Sequence, residues 1–234
     1  MLFVVTLSRA GNYYFSPLGK PFDNIAERLN TLDRENRRSE AQVKDLSQLK
    51  KLAGNNTQLQ ARALFWDVRM SQLDRSPAEC IKQLLRAEKL CRPEYDYDLA
   101  VIYYQLAGNY ERLGQYLLCY NYCNKALNVL KRYDDNFFLG NTYLLLVQLF
   151  YDIDDIVQAR DQLGLAEQHY RKAHFSLNRI YFFRALLTDD LHQKTAWIKK
   201  SILYGGNDWA LTLQDYTNLS ELLVKTGDVK GAMR

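Results

Sequence analysis

Proline and glycine are scarce in this chain, at 4 and 11 of 234 residues. A protein of many short strands needs more turn punctuation than that, which argues against an all-β architecture. No apolar run approaches the roughly 18 residues of a membrane-spanning helix. A dominant charge is missing as well. The 31 Lys and Arg face 27 Asp and Glu, and the resulting net charge of +4 is dispersed. Direct nucleic-acid binding usually uses a concentrated basic stripe, and none is visible; the pair Lys199-Lys200 is too small to supply one. The four cysteines, Cys80, Cys91, Cys119 and Cys123, contain no Cys-x-x-Cys pair and have no His at ligand spacing. Zinc and a disulfide framework are therefore not expected.

Catalytic signatures are missing too. Nucleophile-elbow, phosphate-loop and dinucleotide patterns are absent, and Gly205-Gly206 reads as a turn. His169, His174 and His192 are scattered. The acidic clusters Asp152-Asp154-Asp155 and Asp189-Asp190 lack calcium-loop spacing and fall at predicted helix boundaries, where carboxylates cap backbone N–H groups. These features point away from an enzyme, and no cofactor is expected.

What is present is apolar and aromatic. Hydrophobic residues make up 47% of the chain and aromatics 13%, with 17 Tyr, a side chain that packs by its ring and reaches a polar partner by its hydroxyl. The most informative stretch is 103–127. Tyr103, Leu106, Ala107 and Tyr110 share one helical face. After Gly114, Tyr116, Cys119, Cys123 and Ala126 share another, and two amphipathic helices joined by a tight turn follow. Cys119 and Cys123 act here as small buried hydrophobes.

The spacing of aromatic, Leu, small residue and aromatic in this stretch resembles the tetratricopeptide repeat. Tyr103 stands where that family favours Trp, Ala107 replaces Gly, Cys119 and Cys123 replace Ala and an aromatic, and Lys131 lies where the closing Pro would be. The resemblance covers about 57–234. Its other pairs carry Leu64 and Val68 with Cys80, Leu84 and Ala87; Tyr143, Leu146, Val147 and Phe150 with Ile156, Ala159, Leu163 and Ala166; Tyr181, Phe182 and Ala185 with Leu191, Ile198 and Ile202; and Tyr216, Leu219, Ser220 and Leu223 with Gly227, Val229 and Ala232. The intervals exceed the family's usual period of about 34 residues, with extra residues near 132–136 and 205–208. The implied fold is all-α, a right-handed superhelical stack of antiparallel helix pairs. Its last repeat is expected to be unfinished at Arg234 and to open readily from about Thr212 onward.

Three segments are expected. Residues 1–21 form an N-terminal arm, residues 22–55 a helical hairpin, and residues 56–234 the repeat domain. Asp23 is a candidate cap for the first hairpin helix, and Gly54 a stop for the second. The hairpin either caps the stack or pairs with a second copy. The arm is either a signal-peptide remnant, since Leu2 to Leu7 is followed by Ser8-Arg9-Ala10, or an apolar strap packed on the first helix. The compartment is open, periplasmic in the first case and cytoplasmic otherwise. A charged hairpin ahead of degenerate repeats also resembles the sensor region of certain Bacteroidetes helix-turn-helix regulators, which implies part of a longer regulatory protein.

In such stacks the first helix of each pair lines the concave surface. The positions outside its packing set are Arg62, Phe65 and Arg69, then Tyr104, Gln148 and Tyr151, then Arg179. Arg and Tyr are frequent interface anchors. This set is the expected site for a protein or peptide partner, an extended peptide with acidic or polar groups. The family members that clamp acidic chaperone tails use Lys and Asn at inner slots that here hold Tyr104, Gly108, Leu144 and Gln148, so that ligand is not implied. The alternative function is a homodimerising structural module.

Overall fold

The computed structural model describes residues 15–34, 40–71, 74–205 and 209–225. Among these residues the chain is all-helical. Its α-helices are α1 (Lys20–Arg34), α2 (Glu40–Ala53), α3 (Thr57–Ser71), α4 (Pro77–Leu90), α5 (Asp96–Arg112), α6 (Tyr116–Leu130), α7 (Asn136–Asp152), α8 (Ile156–Lys172), α9 (Asn178–Leu186), α10 (Leu191–Tyr204) and α11 (Trp209–Lys225). Each helix packs on the next, and α1 on α3, α3 on α5 and α5 on α7 also touch. The architecture is thus a stack of helix pairs whose first helices lie side by side. The hairpin α1–α2 is continuous with it, because α2 packs on α3.

Local chemistry sets the boundaries. Ser76 opens α4 with a capping box: the Glu79 N–H donates to Ser76 Oγ, and the Ser76 N–H donates to Glu79 Oε2. Asp135, Asp155 and Asp190 cap α7, α8 and α10, as expected for acidic residues at helix starts. Gly54 and Gly114 take left-handed φ angles of 46° and 68° after α2 and α5, a conformation that favours glycine. A 3-10 turn at Lys131–Tyr133 followed by left-handed Asp134 accommodates the extra residues of the longer period. Asp23 acts differently from the expected cap. The helix begins three residues earlier, and the Asp23 carboxylate accepts from the backbone N–H groups of Leu18 and Gly19.

The repeat positions of the second and third pairs form the core. Leu106, Ala107, Cys119, Cys123, Ala126, Val147, Ala159 and Ala166 are buried. All four cysteines are buried and free. Residues 138–149 of α7 are buried without a break, so this central helix has neighbours on every side rather than one apolar stripe. The expected packing weakens toward the C-terminal end. Leu191 and Tyr216 are exposed, whereas Ile198 is buried as expected and Leu222 is buried as well. Gly227, Val229, Ala232 and the arm before Phe15 lie outside the described residues.

Candidate functional site

A buried ion pair joins α3 and α5. Arg62 Nε and Nη2 each donate to the Asp98 carboxylate at 2.9 Å, and the two side chains are 2% and 3% exposed. Gln58 Nε2 donates to the same carboxylate at 2.7 Å, while its Oε1 accepts the Arg92 N–H. Burial pushes the Asp98 carboxyl above the usual carboxylate range, and Arg62 and Gln58 pull it back only in part. The pair therefore fixes α3 against α5 more than it adds net stability.

One Arg62 nitrogen remains for other use, and it meets a polypeptide backbone. Arg62 Nη1 donates to the carbonyl oxygen of Ser16 at 2.9 Å. The preceding residue, Phe15, lies under the same guanidinium at 4.5 Å. Its ring sits edge-on to Phe65, Trp66 and Tyr97 at centroid distances of 5.7, 6.3 and 5.6 Å. The N-terminal segment thus lies across the first helices of two successive pairs, held by an inserted aromatic ring and one charged donor to the backbone.

This arrangement corrects the expected site. Arg62, Phe65, Arg69, Tyr104, Gln148 and Arg179 are buried, and Tyr151 is half-buried. Arg62 and Phe65 do lie against an extended segment, but that segment is the chain's own. Tyr104 packs edge-on against Phe138 at 5.4 Å. Gln148 Nε2 donates to Asp152 at 2.6 Å, within α7. Arg179 Nη1 donates to Asn141 Oδ1 at 3.2 Å, beside the Tyr170 hydroxyl that donates to the same oxygen at 2.9 Å. The seven residues form no single open patch. Arg62 joins α3 to α5, Tyr104 packs α5 on α7 and Arg179 joins α9 to α7, which helical spacing alone could not reveal. The basic character assigned to the set is reduced at Arg62, which Asp98 neutralises.

Two features had little signal in sequence. Phe15 stood in the N-terminal arm with no helical period around it, and the pre-proline restriction at Pro17 marks only Ser16 as extended. At the C-terminal end of α5, Glu111 is buried beside the Asp152 carboxyl. Burial first, and Asp152 second, push Glu111 up to about 7. The cysteines are not poised for chemistry: burial pushes Cys91 up to about 12 and Cys123 well above its ordinary value, which leaves little reactive thiolate. Among the described residues no group of three or more metal-ligating side chains gathers, and no helix is long and apolar enough to cross a membrane.

No protein-family model matches the chain, and no curated protein does. Among solved structures the chain is similar to BtubC (BKLC) from P. vanneervenii, with a TM-score of 0.64 over 89% of this chain and 87% of that one, at 13% sequence identity. The likeness shows the fold alone.

Proposed function

We propose that the protein is a non-enzymatic, tetratricopeptide-like scaffold that holds an extended peptide on the inner face of α3 and α5. The observation that carries this reading is the seating of Phe15 and Ser16. A ring enters the Phe65, Trp66 and Tyr97 cluster, and the next carbonyl accepts from Arg62. A partner segment with an aromatic residue and a free backbone carbonyl after it meets the same groups. Recognition then rests on the ring and the backbone, because Asp98 has already neutralised the Arg62 charge. The chain's own segment is the competitor, and release of that segment is the step that a regulatory protein would control.

The test uses the full chain with Phe15→Ala and a labelled peptide of residues 12–19. The expected result is saturable binding to the variant, weaker binding to the unmodified protein, and none when the peptide itself carries Phe15→Ala. Absence of binding to a variant that keeps its helical circular dichroism would sink the reading. Charge reversal at Arg62 is not a useful probe, since it would strand Asp98 and report on folding. A second reading, self-association through the hairpin, draws on Val43, which is 70% exposed on α2, and on Leu52, 39% exposed toward the end of the same helix. Light scattering distinguishes it, because a monomer across a wide concentration range excludes it.

A further inference from the structure

The hairpin meets α3 and the N-terminal segment around a cavity of about 170 Å³. Its walls are Phe15 and Trp66 on one side, Asp23, Glu27 and Asn30 along α1, and Arg62 at the back. That space has room for a small organic group as well as for water. Asn30 is only 3% exposed, and its Oδ1 has no donor among the described residues. A buried acceptor in that state carries a desolvation penalty until a donor reaches it. Formal charge along the wall favours a cationic donor. Arg62 is matched by Asp98, which leaves the carboxylates of Asp23 and Glu27 in excess. Asp23 is engaged by the N–H groups of Leu18 and Gly19 and lies 3.9 Å from Arg62 Nη1. Glu27 is exposed at the rim. Phe15 and Trp66 also line the space; the Arg62 guanidinium already lies over the Phe15 ring, and a cation within about 6 Å of the Trp66 ring would be attracted by its quadrupole.

We infer that this cavity is a binding site for a small primary ammonium group, which donates to Asn30 Oδ1, faces the Glu27 carboxylate and lies against Trp66 and Phe15. A lysine side chain of a partner or a free alkylamine offers the same chemistry. The site stands apart from the peptide-holding reading, because it uses the chain with its own segment in place.

The probe is n-propylammonium chloride, titrated into the full-length ¹⁵N-labelled protein and followed on the indole N–H signal of Trp66. Phe substitution at Trp66 identifies that signal among the three tryptophans. Sodium chloride at equal ionic strength and neutral 1-propanol serve as controls. The expected result is a saturable shift with the ammonium and none with either control. Glu27→Gln, an exposed change that leaves packing intact, should weaken binding several-fold, and Asn30→Leu should abolish it. A lysine-bearing peptide that gives the same shift as propylammonium would assign the site to a partner side chain, and one that does not would assign it to a free amine. No saturable shift in the unmodified protein overturns the inference. So does an equal response to 1-propanol, which would mean an apolar cavity, or full binding by Glu27→Gln and Asn30→Leu together.

Discussion

Arg62 and Asp98 face each other as a two-pronged ion pair with both side chains out of water, one on α3 and the other on α5. That relationship ties one helix pair to the next and aims the remaining guanidinium nitrogen at Ser16. Removing one partner leaves a buried charge uncompensated. Asp98→Ala is therefore expected to cost about 3–5 kcal/mol, read by urea unfolding. The double change Arg62→Met with Asp98→Leu should recover much of that loss. A double variant as unstable as Asp98→Ala would show that the pair itself, not the stranded charge, sets the stability.

The Glu111 carboxyl gives a pH dependence with a defined sign. Its folded value, about 7, lies above the ordinary 4.5. Between those two values the folded state holds a proton that the unfolded chain has released. Stability from this group is complete below about pH 4.5 and declines as pH rises through 7. Glu111→Gln should flatten that slope and stabilise the protein at pH 8 by on the order of 2 kcal/mol, after allowing for partial screening by water. Asp152, also raised by burial, leaves a smaller residual slope. Unfolding free energies measured from pH 4 to pH 8 decide the matter, and an unchanged slope in the variant would exclude Glu111 as its source.

Two glycines in neighbouring helices should respond oppositely to alanine. A Cβ on Gly140 would come within 2.3 and 2.6 Å of the Tyr170 ring, which is buried and held by its hydroxyl on Asn141. Gly140→Ala should cost about 1–3 kcal/mol through overpacking. A Cβ on Gly108 meets nothing nearer than Leu145 at 4.0 Å. Gly108→Ala should stabilise by about 0.5–1 kcal/mol, since alanine restricts the unfolded chain and suits a helix. Thermal melts of the two variants check both signs.

Ala126 is fully buried on α6, so a larger side chain there is expected to overpack its surroundings. Ala126→Leu should cost roughly 1–3 kcal/mol while the circular dichroism stays helical. A neutral outcome would mean that α6 is free to shift on its neighbours.

Sequence by itself determined the class of this fold. Scarce glycine and proline excluded a turn-rich sheet, and the spacing of Leu106, Ala107, Cys119, Cys123 and Ala126 placed two helices and their buried faces, because helical period is a local property. The caps at Asp155 and Asp190 were legible for the same reason: they act within one turn. The candidate site was not. Arg62 and Arg179 looked like groove cations since spacing says which face a residue occupies but not what lies opposite. Only the tertiary structure brings Asp98 to Arg62 and Asn141 to Arg179, from helices 36 and 38 residues away. The stack also folds Phe15 back onto α3 and α5. Burial makes pairing obligatory, and so Arg62 and Arg179, expected on an open surface, are internal joints of the stack.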